Sequence, residues 1–119
     1  MSMSETLFSF KGRIGRPTFW LYGIVGLSIA DFIVELLLGG LMHSQISVIS
    51  AFGSILNLVF ALVLLWAELA ISVKRWHDRG KSGWWILIGL IPIIGWLWVI
   101  VETCFLPGTD GPNEYGQQP

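Results

Sequence analysis

A chain of 119 residues that is 54% apolar and 13% charged, with a mean hydropathy of +0.70, carries about half the charge of a soluble domain, where roughly 25% is usual. Its net charge of −1 supplies no basic field for nucleic acid, and its single cysteine, Cys104, excludes an internal disulfide. No CxxC or Cys/His cluster suggests a metal, no cofactor is implied, and the length suits one membrane-embedded unit over residues 1–119.

Residues 1–18 are short and polar around Leu7, Phe8 and Phe10. They suit an interfacial segment, with aromatics in the headgroup layer and Lys11, Arg13 and Arg16 meeting anionic lipid. Pro17 fits the first turn of a helix. The apolar run 19–42 is far longer than the roughly 7–15 residues of a signal-peptide core and lacks a small-x-small cleavage site, so it reads as an uncleaved span. Trp20 and Tyr22 stand at its entry, where amphipathic rings prefer to sit. His43-Ser44-Gln45-Ile46 links it to a second run, 47–73, which exceeds one crossing and should tilt or protrude. Residues 74–83 read as a basic loop that ends on Ser82, an N-cap for the next helix. The third run, 84–106, contains Pro92 and Gly95, which predict a kink. The tail, 107–119, is rich in turn residues.

All seven Lys and Arg residues lie in two stretches: Lys11, Arg13 and Arg16, then Lys74, Arg75, Arg79 and Lys81. The link after run one and the tail after run three have none. Under the positive-inside rule this alternation predicts an all-α membrane protein of three transmembrane helices, with a short N-terminal interfacial segment and an irregular C-terminal tail. The N-terminus would be cytoplasmic and the C-terminus outside. A rival topology makes run three re-entrant, turning at Ile91-Pro92-Ile93-Ile94-Gly95 and returning the tail to the cytoplasm. The cation-free tail favours three spans.

Asp31, Glu35, Glu68 and Glu102 interrupt the apolar runs, and intramembrane acids are functional candidates by default. Asp31 and Glu35 share a helix face one turn apart, and two like charges in low dielectric cannot both ionise cheaply. With Asn57 and Glu68 they are expected to be buried between helices, as a proton or cation path or, more blandly, as interhelical hydrogen-bonding glue. Glu102 falls near the outer end of span three and carries little weight there. Small-xxx-small steps such as Gly26 to Ala30 permit close helix approach, within the chain or in a homo-oligomer. His77-Asp78 invites an acid–base or metal reading, but the other histidine, His43, lies at the opposite face in this topology, so a structural pair is the simpler expectation. Asp110, Asn113 and Glu114 lack a calcium-loop register.

Three motifs occur in order: Phe10-Lys11-Gly12-Arg13-Ile14-Gly15-Arg16-Pro17-Thr18-Phe19-Trp20, Arg75-Trp76-His77-Asp78-Arg79-Gly80-Lys81-Ser82-Gly83-Trp84-Trp85, and Ile91-Pro92-Ile93-Ile94-Gly95-Trp96 with Pro107-Gly108, Gly111, Asn113 and Tyr115-Gly116. Together, from Phe10 to Gly116, they resemble domain-of-unknown-function family 805, small bacterial inner-membrane proteins. Trp76 stands where that family usually has Leu. The resemblance implies a bacterial cytoplasmic-membrane location and no established activity.

The first functional expectation is a non-enzymatic protein that holds anionic lipid or a membrane-protein partner on a basic-aromatic cytoplasmic face. That face comprises Arg13, Arg16, Arg75, Trp76, His77, Asp78, Arg79, Lys81, Trp84 and Trp85. The alternatives are an oligomeric proton or cation transporter using the acids, and a lipid-headgroup enzyme using His77 and Asp78.

Overall fold

The computed structural model describes all 119 residues and is helical, with no strand beyond one bridge between Asn113 and Gly116. Helix α1, Met3–Phe8, starts on Ser2, whose Oγ accepts from the Glu5 amide at 3.1 Å. Helix α2, Arg16–Met42, has Pro17 in its first turn and widens to π-helical geometry over Phe19–Gly26. Helix α3, Ser47–Asp78, returns against it. Both are apolar enough to cross a membrane. At 1.5 Å per residue they are about 40 and 48 Å long, against roughly 30 Å of hydrocarbon.

The third apolar run does not form the single long helix expected over 84–106. It folds as a 3-10 helix, Gly83–Leu90, and a reversed helix α4, Ile94–Phe105. The reversal is a γ-turn: the Ile94 amide donates to the Pro92 carbonyl at 2.7 Å, and Ile93 takes φ +65° and ψ −69°. A β-branched residue is strained at that φ. Gly95 lets the legs close, since a Cβ there would sit 1.9 Å from the Ile88 carbonyl oxygen. Trp96 Nε1 donates to the Gly89 carbonyl at 3.0 Å, the Trp85 and Trp98 rings lie 6.1 Å apart, and a Lys81–Glu102 ion pair closes the mouth. The legs are about 16 and 18 Å long, roughly half the hydrocarbon thickness.

Two further expectations change. Helix α3 runs through Lys74–Asp78, so the basic stretch is mostly helix and its loop is only 79–82. The tail packs on the N-terminal flank and the end of α3, so both termini lie at one end of the molecule, not at opposite ends. The packing is inverted relative to a water-soluble protein. Apolar residues along α2 and α3 are exposed, while Lys74, Arg75 and Trp76 are fully buried. A small apolar cluster, including Ile14, Phe19, Ala67, Ile71 and Cys104, lies beneath that polar end.

Candidate functional site

The polar end is built around Asp78, the last residue of α3. Arg13 Nε and Nη2 both reach Asp78 Oδ1 at 2.8 Å, and Arg75 Nη1 donates to Oδ2 at 2.7 Å. All three residues are buried. Arg13 spends its remaining hydrogens on the tail: Nη2 on the Thr109 carbonyl at 2.6 Å, and Nη1 on those of Gly111 at 2.7 Å and Gly116 at 3.4 Å. Gly108 makes this approach possible, because a Cβ there would lie 2.0 Å from Asp78 Oδ2.

Arg16, Lys74 and Arg75 cap helix ends. The last carbonyls of a helix have no partner within it and carry the negative end of its dipole. In α4 they are answered by Arg75 Nε on Thr103 at 2.7 Å, Trp20 Nε1 on Cys104 at 2.9 Å and Arg16 Nη1 on Phe105 at 2.9 Å. Arg75 Nη2 on Leu106 and Arg79 Nη1 on Pro107, both at 2.5 Å, extend the series into the tail. Lys74 serves α1 in the same way, donating to the carbonyls of Glu5, at 2.6 Å, and Thr6. The end of α3 is closed by the tail, with Asn113 Nδ2 on the His77 carbonyl at 2.9 Å and the Thr109 amide on that of Asp78 at 2.7 Å.

His77 and Asp78 do not work together. His77 Nδ1 lies 2.9 Å from the Gly12 carbonyl oxygen and its ring stacks on Tyr115 at 3.9 Å. With Asp78 held by two guanidiniums, no carboxylate orients the imidazole. Trp76 stacks near Trp85 at 6.2 Å, and the Lys81 ammonium lies 4.5 Å over the Trp85 ring. Trp84 is largely exposed. No group of His, Cys, Asp and Glu has a metal-holding arrangement.

The expected burial of the acids is corrected. Asp31, Glu35 and Glu68 are exposed on the chain, and Asn57 is half-buried. For Asp31 and Glu35 the hairpin is the reason: its roughly 18 Å legs stop short of them, about 22 and 28 Å along α2. Asp31 and Glu68 do line one groove of about 310 Å³ between α2 and α3, together with Ser28, while Glu35 and Asn57 lie outside it. The sequence placed Glu102 near the outer end of span three with little weight, counted Lys74 only among the topology-setting cations, and carried no signal for the tail carbonyls. Pro92 and Gly95 were the available signal for Glu102, since a reversal there returns it to Lys81.

A family model described as "Protein of unknown function (DUF805)" matches residues 7–117. The Escherichia coli K12 inner membrane protein YhaH is 34% identical over 120 residues, covering 100% of this chain and 93% of that protein. The inner membrane protein YhaI of the same strain is 29% identical over 121 residues, covering 100% and 92%. Its uncharacterized protein YiiR is 38% identical over 109 residues, covering 91% of this chain and 65% of that protein. No solved structure matches the chain.

Proposed function

Because the chain belongs to the DUF805 family, in which no activity is established and whose relatives include named inner membrane proteins, we propose its function from the geometry: a non-enzymatic inner-membrane protein that engages anionic lipid at its cytoplasmic rim. In this reading α2 and α3 span the bilayer, the Gly83–Phe105 hairpin enters and leaves from one side, and both termini are cytoplasmic. The hairpin's half-thickness legs support this, as does the gathering of all seven Lys and Arg residues at one end.

The observation that carries the reading is the Arg13–Asp78–Arg75 clamp. It turns the motif that most invites an enzyme into a structural lock and leaves His77 with no activating carboxylate. It also takes Arg13 and Arg75 out of the expected lipid-binding set. Arg16, Arg79 and Lys81 remain at the rim, near the exposed indoles of Trp20, Trp84 and Trp85. Such a rim suits anionic headgroups. Native mass spectrometry of the protein released from mixed-lipid membranes tests this. Retained anionic phospholipid of unchanged mass, in excess over phosphatidylcholine, is expected. Equal retention of the two, or a mass shift marking a converted lipid, contradicts it.

A further inference from the structure

We propose that the outer face of α4 seats one anionic glycerophospholipid, with its phosphate on Arg79 and Lys81, a headgroup hydroxyl donating to Glu102, and an acyl chain along the helix. This rests on the lipid-engaging reading above and gives it an address.

Three observations converge. The first is an unanswered pair of polar atoms. Glu102 is 6% exposed; its Oε1 takes the Lys81 ammonium and lies 3.6 Å from Arg79 Nη2, while its Oε2 has no partner. Arg79 gives Nη1 to the Pro107 carbonyl, while its Nε has no partner. A buried acceptor and a buried donor each cost free energy when left unmade. One ligand that both accepts and donates satisfies the two together. A phosphodiester accepts from the guanidinium edge, and a neighbouring hydroxyl donates to the carboxylate. The Arg79 and Lys81 side chains keep 22% and 28% of their surface exposed, so they can move to admit it.

The second is charge. Arg79 and Lys81 against Glu102 leave one positive charge at the rim. A phosphodiester with a neutral headgroup cancels it. A zwitterionic headgroup leaves it standing and adds an ammonium beside two cations.

The third is shape. A groove of about 480 Å³ runs beside Ile94, Leu97, Trp98, Val101, Glu102 and Leu106. All of these except the carboxylate are apolar. Glu102 and Leu106 lie at the cation end, and Ile94 lies at the hairpin turn, deep in the layer in the proposed topology. Headgroup, glycerol and chain follow in that order along a phospholipid.

The test uses the full chain in phosphatidylcholine nanodiscs doped equally with phosphatidylglycerol, phosphatidylethanolamine and phosphatidylmethanol, read by native mass spectrometry. Wild type should keep one phosphatidylglycerol. Phosphatidylmethanol, which has the same charge but no headgroup hydroxyl, should be kept less. R79Q should lower phosphatidylglycerol retention about tenfold, the equivalent of one charge-assisted hydrogen bond. K11Q removes the same charge at the same end away from the groove and should change little. Equal losses in R79Q and K11Q overturn the site but leave a general anionic rim intact. Equal retention of phosphatidylglycerol and phosphatidylmethanol by wild type, a readout that needs no variant to fold, removes the role of Glu102 and overturns the proposal as stated. No preference of wild type for either anionic lipid over phosphatidylethanolamine overturns the site and the lipid-engaging reading together.

Discussion

The polar end and the far halves of α2 and α3 follow opposite packing rules. At the polar end, charges are inside: Arg13, Lys74, Arg75 and Asp78 are buried, and nearly every donor meets a carbonyl or carboxylate. Along the far helices Leu36, Leu37, Val48 and Phe52 face outward, and Asp31 and Glu35 stand among them. Lipid explains the contrast. Apolar side chains gain nothing by hiding from hydrocarbon, so the two helices meet through close approach at small residues such as Gly53, where a Cβ would lie 2.6 Å from Leu41 Cβ. Backbone carbonyls at the ends of short helices have no such freedom and need donors wherever water is scarce. The chain concentrates most of its directional chemistry at the polar end, with one such bond, Ser50 Oγ donating to the Met42 carbonyl at 2.8 Å, at the far end.

The largest effect expected is on the clamp. Asp78→Ala leaves two guanidiniums buried against each other without their anion, and breaking a buried pair in this way costs about 3–5 kcal/mol. Thermal unfolding in detergent should report a large fall, and a change below 1 kcal/mol would put the clamp in the class of surface pairs and erase the contrast. Gly108→Ala probes the same point by shape: its methyl would meet Asp78 Oδ2 at 2.0 Å, so a loss of about 1–3 kcal/mol follows. At the hairpin turn the sign reverses. Ile93→Gly relieves a positive φ and gives up a side chain that faces outward, so it should stabilise by about 1 kcal/mol. If it destabilises instead, the Ile93 side chain is needed for packing there. Asp31→Asn and Glu35→Gln should change stability least, by under about 0.5 kcal/mol, because neither carboxyl has a partner in the chain to lose. A large loss from either would mean that the carboxyl holds a contact within the chain after all.

The two long helices were legible because an apolar run of sufficient length in lipid has few other solutions. The order of the motifs was legible too, and it carried the family. The hairpin was legible only as the rival to a third span, since a turn among apolar residues needs no polar loop: Ile91, Ile93 and Ile94 look alike whether the chain continues or reverses. Pro92 and Gly95 marked the place, but a kink and a reversal share those residues. That one ambiguity moved Glu102 from a presumed outer surface to the Lys81 ion pair and brought the tail across the molecule. The burial of Arg13 and Arg75 was hidden for another reason. Their main partners besides Asp78 are backbone carbonyls, which every residue possesses, so residue types alone could not reveal them.

The clamp ties the tail to Arg13 and Asp78, so the account requires the C-terminus to share a side with the N-terminal flank. Paired C-terminal fusions after Pro119 measure this directly, one a fluorescent protein that matures only in the cytoplasm, the other a phosphatase active only outside it. Bright fluorescence with an inactive phosphatase is the predicted result. An active phosphatase on a stably inserted chain would contradict the clamp and restore a third crossing.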